Sequence, residues 1–231
     1  MAIKTQYITL SIVIPTLNSS DTLLACISKL NSAKLPVEII IVDGGSDDST
    51  LQISSDLGLI PLKSEKGRGQ QLANGAELAN SDWLLFLHSD TILSSEWYSE
   101  VQDFISKSSN IRQAAAFKFC LNDNSFSARL IEIAVHLRCK IFGLPYGDQA
   151  LLISRIFYRE LGGYSHIPIM EDVALIRQIG KENIFILNTP AITSAKRYKK
   201  DGWLKRPIRN LFCLLLYYLR WDINKIKQFY K

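Results

Sequence analysis

The chain has 231 residues, of which 47% are hydrophobic and 21% are charged. This composition is typical of a soluble globular protein with a real core, and the length allows one large domain or a domain with an appendage. The net charge of +5 is unevenly placed, because residues 196–231 carry +9 and residues 1–195 carry −4. Since the basic excess lies in an apolar, aromatic tail and not in a polar groove, we expect no nucleic-acid binding.

The four cysteines, Cys26, Cys120, Cys139 and Cys213, are scattered without CxxC spacing. This argues against a zinc site or a disulfide framework and favours reduced thiols in a cytoplasmic protein. The N-terminal residues enter a predicted strand directly, without a long apolar stretch followed by a small-residue cleavage site. We therefore expect no secretory signal.

Hydrophobic patterning predicts alternating strands and helices over the first 90 residues. The predicted strands cover residues 8–15, 38–43, 59–64 and 83–87. The predicted helices cover residues 21–30, 49–57 and 69–79. Repeated strand–helix steps of this kind indicate a parallel, doubly wound sheet.

The second half of the chain is less regular. Helices are predicted over residues 95–106, 126–142 and 171–179, and strands over residues 114–121, 150–154 and 184–187. We find no internal repeat or linker. The pattern fits one α/β domain followed by a helical tail, with the join near residues 199–202.

Polar residues follow three of the early strands. Residues 15–18 follow the first predicted strand. Asp43 ends a second apolar run and is followed by Gly44, and Asp90 ends a third apolar run. Because α/β sheets bind ligands beyond the carboxyl ends of their strands, these residues are candidates for holding a nucleotide and a divalent cation. The alternative for Asp43 and Gly44 is turn and helix-cap chemistry.

Arg68 lies between two glycines at the start of a predicted helix. It can clamp a phosphate, and the helix N-terminus adds donors for an anion. The segment is not a P-loop, because GxxxxGK[ST] is absent. One well-placed carboxylate such as Asp90 can hold a divalent ion that a diphosphate also binds. His88 is either a ligand-site residue or an imidazole hydrogen-bonded at the strand edge.

These segments together resemble the family 2 nucleotide-sugar glycosyltransferases of the GT-A fold, most closely their short bacterial members. The segments are IVIPTLN, IIIVDGGSDDST, KGRGQQLANGAELA, WLLFLHSDT, MED and TSAKRY. The resemblance implies a three-layer α/β/α sandwich with a predominantly parallel, Rossmann-like sheet. It implies a GT-A domain over residues 1–200, followed by a basic amphipathic helical tail over residues 201–231. Within the domain, residues 1–92 form approximately the nucleotide-binding half and residues 93–200 the acceptor-binding half.

The resemblance also implies roles for individual residues in the donor site. Asp43 contacts the nucleobase and Arg68 helps to hold the nucleotide. The metal-binding DxD motif of the family falls on His88, Ser89 and Asp90, so that only Asp90 remains as a carboxylate for Mg²⁺ or Mn²⁺. The implied nucleotide-sugar site comprises Pro15, Thr16, Asn18, Asp43, Gly44, Arg68, His88, Ser89 and Arg197.

The catalytic base implied by the resemblance is Asp172 in the MED segment. Inversion needs a base that takes the acceptor proton on the face opposite the leaving diphosphate. Glu171 orients Asp172 or caps the helix, and the alternative is that both acids only favour the helix N-terminus. Asp148, in a GDQ segment resembling that of the short members, is the second candidate base. Arg197 would stabilise leaving-group charge.

The expected function is therefore that of an inverting glycosyltransferase that uses a UDP- or GDP-linked sugar. One alternative is a non-catalytic nucleotide-sugar or membrane-surface binding protein of the same fold, for which His88 in place of an acid is the indication. A sugar-phosphate nucleotidyltransferase is a weaker alternative. Such enzymes carry a Gly-rich basic loop after the first strand, where this chain has PTLNSS.

The tail combines an apolar stripe with basic residues. Its apolar run covers residues 211–219, whereas a membrane-spanning helix needs roughly 20 residues. The stripe comprises Leu204, Ile208, Leu211, Phe212, Leu215, Tyr218 and Leu219. It either lies in a membrane interface, which suits a lipid or polyprenoid acceptor at the inner face of the membrane, or packs on the domain or on a second subunit in a homodimer.

Overall fold

The structure of the chain, a computed structural model, describes residues 10–31 and 36–230. Its strands are β1 (Leu10–Thr16), β2 (Val37–Asp43), β3 (Leu62–Lys63), β4 (Trp83–Phe86), β5 (Thr91–Leu93), β6 (Ala114–Leu121), β7 (Leu151–Ser154) and β8 (Ile184–Thr193). Its helices are α1 (Leu23–Asn31), α2 (Thr50–Asp56), α3 (Arg68–Leu78), α4 (Trp97–Ile105), α5 (Phe126–Phe142), α6 (Arg155–Glu160), α7 (Glu171–Ile179), α8 (Lys196–Asp201), α9 (Lys205–Tyr218) and α10 (Ile223–Tyr230). The expected absence of a secretory signal and the first two residues of the first predicted strand lie outside the described residues.

The strands form one sheet in the order β3-β2-β1-β4-β7-β6-β8-β5. The first four strands in that order are parallel to one another. Strand β7 runs antiparallel to both β4 and β6, β6 pairs parallel with β8, and β5 is antiparallel to β8. The α/β class is confirmed. The predicted parallel arrangement holds for the first half, while the second half makes the sheet mixed.

Helices cover both faces of the sheet, which confirms the three layers. On one face, Ile12 of β1 and Leu85 of β4 pack into a core with α1 and α4. On the other face, Val13 and Leu84 pack into a second core with α3 and α7. Alternate residues of a strand point to opposite faces. A strand buried on both faces must therefore be apolar throughout, which is why β1 and β4 read as continuous apolar runs.

Four elements differ from the sequence-based expectation. Strand β3 has only the two residues Leu62 and Lys63, and it begins after Ile60, which is 95% exposed. Strand β8 extends to Thr193, beyond the predicted end, and shifts its register against β6. Pro190 is accommodated at this irregularity, where a missing N–H breaks no ladder bond. Strand β5 and helix α6 were not predicted, because both are too short for a periodic pattern.

The tail forms two helices, α9 and α10, that pack against each other and against the body of the protein. Leu214, Leu216 and Ile226 share a buried cluster with Ile169 and Val173, which flank the start of α7. No helix within residues 10–31 and 36–230 is long and apolar enough to cross a membrane. The inner face of the tail is therefore part of the core, and it is formed by residues other than the predicted stripe.

The predicted apolar stripe of the tail remains on the surface. Leu204, Ile208 and Leu211 are 77%, 65% and 66% exposed. Phe212, Leu215, Tyr218 and Leu219 are also exposed. Helix α9 thus has two apolar faces, an inner one and an outer one. The stripe predicted from the sequence is the outer face.

Candidate functional site

The carboxyl ends of β1 and β2 lie side by side at one edge of the sheet. Thr16 pairs with Asp43 in the parallel register, and its Oγ1 donates a hydrogen bond of 2.9 Å to Asp43 Oδ1. The backbone N–H groups of Gly45 and Ser46 donate to Asp43 Oδ2, at 2.9 Å and 2.8 Å. The carboxylate of Asp43 therefore fixes both Thr16 and the loop that follows β2.

The same contacts explain the acidity of Asp43. Its burial raises the pKa, but hydrogen bonds from Ser46, Thr16 and Gly45 stabilise the carboxylate and hold the pKa below its usual value. Asn18 adds to this loop, because its side-chain oxygen accepts from the backbone N–H of Asp47 at 3.0 Å. The edge of the sheet is thus rigid before any ligand binds.

Gln71 joins the two strand ends from α3. Its Nε2 donates to the carbonyl oxygens of Thr16 and Val42, at 2.8 Å and 2.7 Å. Gly44 lies against the Gln71 amide, and a Cβ on Gly44 would come within 3.1 Å of it. The sequence analysis did not single out Gln71. A glutamine inside a helix gives no local indication that its amide will satisfy carbonyls of two strands.

A cavity of about 600 Å³ opens at this edge and forms the first part of the site, here called the donor cavity. It brings together most residues predicted to bind the nucleotide sugar, while Asp43 and Gly44 lie outside its lining. The predicted residues that line it are Pro15, Thr16, Asn18, Arg68, His88, Ser89, Asp90 and Arg197.

Further cations border the donor cavity. Lys66, Lys196 and Lys227 also line it. The Nζ of Lys196 lies 3.0 Å from the carboxylate of Asp21, so this lysine links the start of α8 to the segment before α1. Positive charge on several sides of one cavity suits an anionic ligand such as a diphosphate.

Arg68 connects the donor cavity with the acids at the start of α7. Its guanidinium forms an ion pair with the buried carboxylate of Glu171, and one of its nitrogens lies 4.0 Å from Asp172 Oδ2. Gly69 permits this approach, because a Cβ there would lie 2.5 Å from the carbonyl oxygen of Ser165. Glu171 lines neither the donor cavity nor the cavity behind it, so it positions Arg68.

Asp172 is held in a defined orientation. Its Oδ2 accepts a hydrogen bond of 3.0 Å from the N–H of Gly147, and its Oδ1 accepts from the N–H of Val173 at 2.8 Å. Burial raises the pKa of Asp172, but Arg68 and these N–H groups outweigh burial and lower it below its usual value. For Glu171 burial dominates and the pKa is raised. The two adjacent acids thus differ, since the pKa of Asp172 is lowered and that of Glu171 is raised.

A smaller cavity of about 90 Å³, here called the acceptor cavity, adjoins the donor cavity. The two share Arg68, His88, Asp90 and Arg197 in their linings. The acceptor cavity adds both candidate bases, Asp148 and Asp172. Residues that the sequence assigned to separate segments therefore converge on one continuous space.

Asp148 has an unusual environment within this space. Its Oδ1 is buried without a hydrogen-bond partner. Burial raises its pKa to about 6, with Arg138 acting in the opposite direction. A carboxyl group of this kind holds a proton more readily than a solvated aspartate does, which makes it suitable for contact with a polar ligand group.

His88 lies between the donor and acceptor cavities. Burial and the neighbouring Arg68 lower its pKa to about 4, so the imidazole is neutral at physiological pH. A Cβ on Gly147 would lie 2.8 Å from His88 Nε2 and 3.4 Å from Asp172 Oδ2. The glycine of the GDQ segment thus lets the imidazole and the candidate base approach the same backbone.

The tail contributes a wall of the acceptor cavity that the sequence analysis did not anticipate. Arg206, Asn210 and Tyr230 line it, and Asn210 Oδ1 is buried without a hydrogen-bond partner. One indication was available in the sequence, since Asn210 is a polar residue directly before the longest apolar run of the tail. That pattern alone does not reveal which cavity the residue faces.

Comparisons with known proteins give consistent similarities in sequence. The profile of the family described as Glycosyl transferase family 2 matches residues 11–148. The PGL/p-HBAD biosynthesis glycosyltransferase of Mycobacterium bovis is 30% identical over 161 residues, covering 59% of this chain and 62% of that protein. The chain thus matches less than two thirds of this relative's length.

Solved structures share the fold. The Staphylococcus aureus protein TarS, residues 1–349, in complex with UDP-GlcNAc has a TM-score of 0.62 and 15% identity, over 96% of this chain and 70% of that one. Glucosyl-3-phosphoglycerate synthase from Mycobacterium tuberculosis in complex with Mn²⁺ and UDP-Glc has a TM-score of 0.63 and 20% identity, over 90% and 78%. The TM-scores show that the GT-A fold is shared.

Proposed function

Because the chain belongs to glycosyl transferase family 2, we propose that it transfers a sugar from a nucleoside-diphosphate sugar to an acceptor hydroxyl, with inversion at the anomeric carbon. The observation that carries this proposal is the position of Arg68, Arg197 and Asp90 on both the donor and acceptor cavities, with Asp172 in the latter. UDP-sugars are the first donors to test, because both structural relatives contain one. GDP-sugars come second.

The nucleoside is assigned to the edge of the sheet beside Pro15, Thr16 and Asn18. Asp43 lies directly behind this edge and already accepts hydrogen bonds from Thr16 and from the loop after β2. An ionised carboxylate has about four acceptor positions. Thr16, Gly45, and the N–H and hydroxyl of Ser46 already fill four positions, so a nucleobase N–H would bind Asp43 by displacing the Ser46 hydroxyl.

The diphosphate is assigned to the two arginines that border both cavities. Arg197 follows β8 near the start of α8, and Arg68 begins α3. Arginine stays charged at any physiological pH and can bind phosphate oxygens through two parallel hydrogen bonds. Both cations would stabilise the negative charge that develops on the leaving diphosphate.

The residues present fit a hard divalent cation that is bound mainly by the donor itself. Within the described part of the chain, no group of three or more His, Cys, Asp or Glu side chains could hold a metal ion alone. Asp90 lines both cavities and supplies one carboxylate, and diphosphate oxygens and water can complete the coordination. Mg²⁺ or Mn²⁺ held there would offset diphosphate charge.

Asp172 is the proposed general base. It lines the acceptor cavity and is ionised at neutral pH, so it can accept the proton of an acceptor hydroxyl as that oxygen attacks the anomeric carbon. The bond to the diphosphate breaks on the opposite side, which inverts the configuration. Asp148 is the second candidate, because it lines the same cavity and its pKa is about 6.

The acceptor is proposed to be a lipid. Helix α9 carries the exposed apolar stripe, and the segment 196–231 is rich in lysine and arginine. Together they are complementary to the surface of an anionic membrane. The same tail lines the acceptor cavity through Arg206 and Tyr230. A tail that touches both the membrane and the cavity would hold the active site next to a lipid-linked hydroxyl.

The test of the proposed function combines binding with turnover. We expect UDP to bind the full chain with Mn²⁺ in calorimetry, and a panel of UDP- and GDP-sugars with lipid acceptors to release nucleotide only when the acceptor is present. UDP binding without any release across the panel would favour the non-catalytic binding protein. Release of pyrophosphate from a nucleoside triphosphate and a sugar phosphate would instead favour a nucleotidyltransferase.

A further inference from the structure

A third cavity lies away from the donor site, between α5 and the strands β6 and β8. Its volume is about 390 Å³. Its apolar lining consists of Phe119, Ile133, Val135, Leu137, Ile186 and Pro190, and its polar and charged lining consists of Lys118, Arg129, Glu132, His136 and Gln149. Cys120 and Cys139 also line it. We call this cavity the chain groove.

The mouth of the chain groove belongs to an exposed apolar stripe. Ile133 and Leu137 line the groove and are also 56% and 48% exposed on the outer face of α5. Phe126, Leu130 and Ile141 continue this stripe on the surface. These positions repeat at intervals of three and four residues, so they share one side of the helix. Large exposed apolar patches of this kind mark interaction or membrane sites.

The inner end of the chain groove lies next to the acceptor cavity. Gln149 lines the groove, and its sequence neighbour Asp148 lines the acceptor cavity. Gln149 is fixed as a partition, since its Nε2 donates to the carbonyl of Phe117 at 3.0 Å and its Oε1 accepts from Arg138 at 3.3 Å. The groove and the acceptor cavity are therefore bordered by adjacent residues of the chain, Gln149 and Asp148.

Helix α5 also packs against the segment that leads into the tail. Ala128, Val135 and Cys139 share a buried cluster with Tyr198 and Trp203, and Trp203 directly precedes the exposed stripe of α9. The exposed stripes of α5 and α9 are thus both adjacent to this buried cluster. Residues 196–231 also carry a net positive charge. An anionic lipid surface complements both the apolar stripes and this charge.

We propose that the chain groove holds the hydrocarbon chain of the lipid acceptor, with the reacting hydroxyl directed past Gln149 towards Asp172. A chain could pass from a bilayer in contact with the α5 stripe into the groove without crossing water. The inference rests on the proposed function, because it specifies where the acceptor of the same site lies. Single-chain lipids are the predicted class, and membrane phospholipid is the competing occupant.

The test uses straight-chain alcohols as probes, because they carry one hydrocarbon chain and one hydroxyl. Hexanol, octanol and decanol are titrated into the full chain in calorimetry. We expect the affinity to rise about fourfold for each added CH₂ group. Ile133→Trp narrows the mouth of the groove and should weaken decanol binding at least tenfold. The matched control is Leu130→Trp, which alters the same exposed stripe outside the groove and should leave decanol binding unchanged.

A second readout locates the probe inside the groove. Cys120 lines the groove and is half-buried, whereas the other three cysteines are buried. Decanol should slow the labelling of Cys120 by N-ethylmaleimide at mildly alkaline pH. Equal decanol affinity in wild type, Ile133→Trp and Leu130→Trp would overturn the proposal, as would unchanged labelling of Cys120 under saturating decanol. So would protection of Cys120 by phosphatidylglycerol vesicles but not by decanol.

A separate measurement tests the proposed function, so that its failure can be distinguished from failure of the groove proposal. UDP with Mn²⁺ is titrated into the same three proteins, and we expect equal affinities because the chain groove does not border the donor cavity. Absence of UDP binding in the wild-type protein would contradict the proposed function. The alcohol titrations would still decide whether the groove binds a hydrocarbon chain.

Discussion

Arg68 lies where the two halves of the site meet. It borders the donor and acceptor cavities and is bound to Glu171, which is 103 residues later in the chain. Burial works against its charge, but Glu171 and Asp172 outweigh burial and raise its pKa. A cation held in this way suits the proposed diphosphate position, and it acts electrostatically on Asp172.

Substitution of Asp172 tests its role as the base. Asp172→Asn keeps the shape of the side chain and one of its two hydrogen bonds from the N–H groups of Gly147 and Val173, but the amide cannot serve as a base. We expect kcat to fall by about 10²- to 10⁴-fold, with UDP affinity in calorimetry largely unchanged. Asp148→Asn serves as the comparison. If Asp148→Asn loses transfer to that extent and Asp172→Asn does not, Asp148 is the base.

The raised pKa of Asp148 makes a separate prediction about stability. Because burial raises its pKa to about 6, the folded protein binds a proton between about pH 4 and pH 6 that the unfolded chain has released. Stability contributed by this group is therefore present at low pH and lost as the pH rises through 6. Asp148→Asn should abolish this loss.

Thermal unfolding at several pH values measures the effect. Between pH 4 and pH 7 the wild type should lose more unfolding free energy than Asp148→Asn. The stability of the variant relative to the wild type should therefore rise over this range, by at most about 3 kcal/mol. Asp90→Asn is the control, because it removes a carboxylate of the same cavity. A difference that stays constant with pH would contradict the environment described for Asp148.

At the scale of elements, the packing of α3 on β1 and β2 determines the position of Arg68, the first residue of that helix. Gly75 faces the strands, and a Cβ at this position would lie 2.3 Å from Val13 Cγ1 and 2.9 Å from Val42 Cγ2. The neighbours are branched side chains in the middle of two buried strands, so they cannot move aside easily. Helix α3 therefore contacts β1 and β2 at a glycine.

Gly75→Ala tests this contact against helix propensity. In an isolated helix, alanine is favoured over glycine by about 1 kcal/mol. Here we expect the opposite sign, a net destabilisation of about 1–3 kcal/mol from overpacking, measured by urea unfolding. Glu77→Ala, at an exposed position of the same helix, should change stability by less than about 0.5 kcal/mol. A more stable Gly75→Ala protein would show that α3 can shift away from the sheet.

At the scale of the whole molecule, the tail is both core and surface. Its inner face packs on Ile169, Met170 and Val173, whereas its outer face carries the apolar stripe. Removal of the tail would expose this cluster and delete a wall of the acceptor cavity. A truncated chain therefore cannot separate membrane contact from folding, and substitutions on the outer face are the appropriate test.

Leu211→Gln with Leu215→Gln tests membrane contact in the folded protein. We expect the wild type to co-sediment with vesicles that contain phosphatidylglycerol, less so at high salt because the charge interaction is screened, and the double variant to remain in the supernatant. Leu78→Gln is the matched control, because Leu78 on α3 is 52% exposed and Leu215 is 54% exposed.

The result can also favour the other occupant of the stripe. Equal co-sedimentation of the wild type, the double variant and the control would contradict the membrane proposal. A dimer in solution that dissociates in the Leu211→Gln, Leu215→Gln protein, without binding of the wild type to vesicles, would assign the stripe to a second copy of the chain.

The sequence by itself determined the early strands and helices, because each depends on local periodicity. The runs ending at Thr16, Asp43 and Phe86 are apolar on both faces, so they predict buried strands and place polar residues at one edge. Family resemblance extended this reading to Arg68, Asp90 and Asp172. The mixed second half was beyond this reasoning, because β5 and β8 are defined by partners distant in the chain.

Only the tertiary structure decided which residues meet. The pairing of Arg68 with Glu171, the closure of the acceptor cavity by Asn210 and Tyr230, and the chain groove under α5 all join segments far apart in the chain. The apolar stripe of the tail was visible in the sequence, yet the structure alone shows that it is the outer face. Periodicity indicates that a helix has an apolar side, whereas packing determines whether that side is buried.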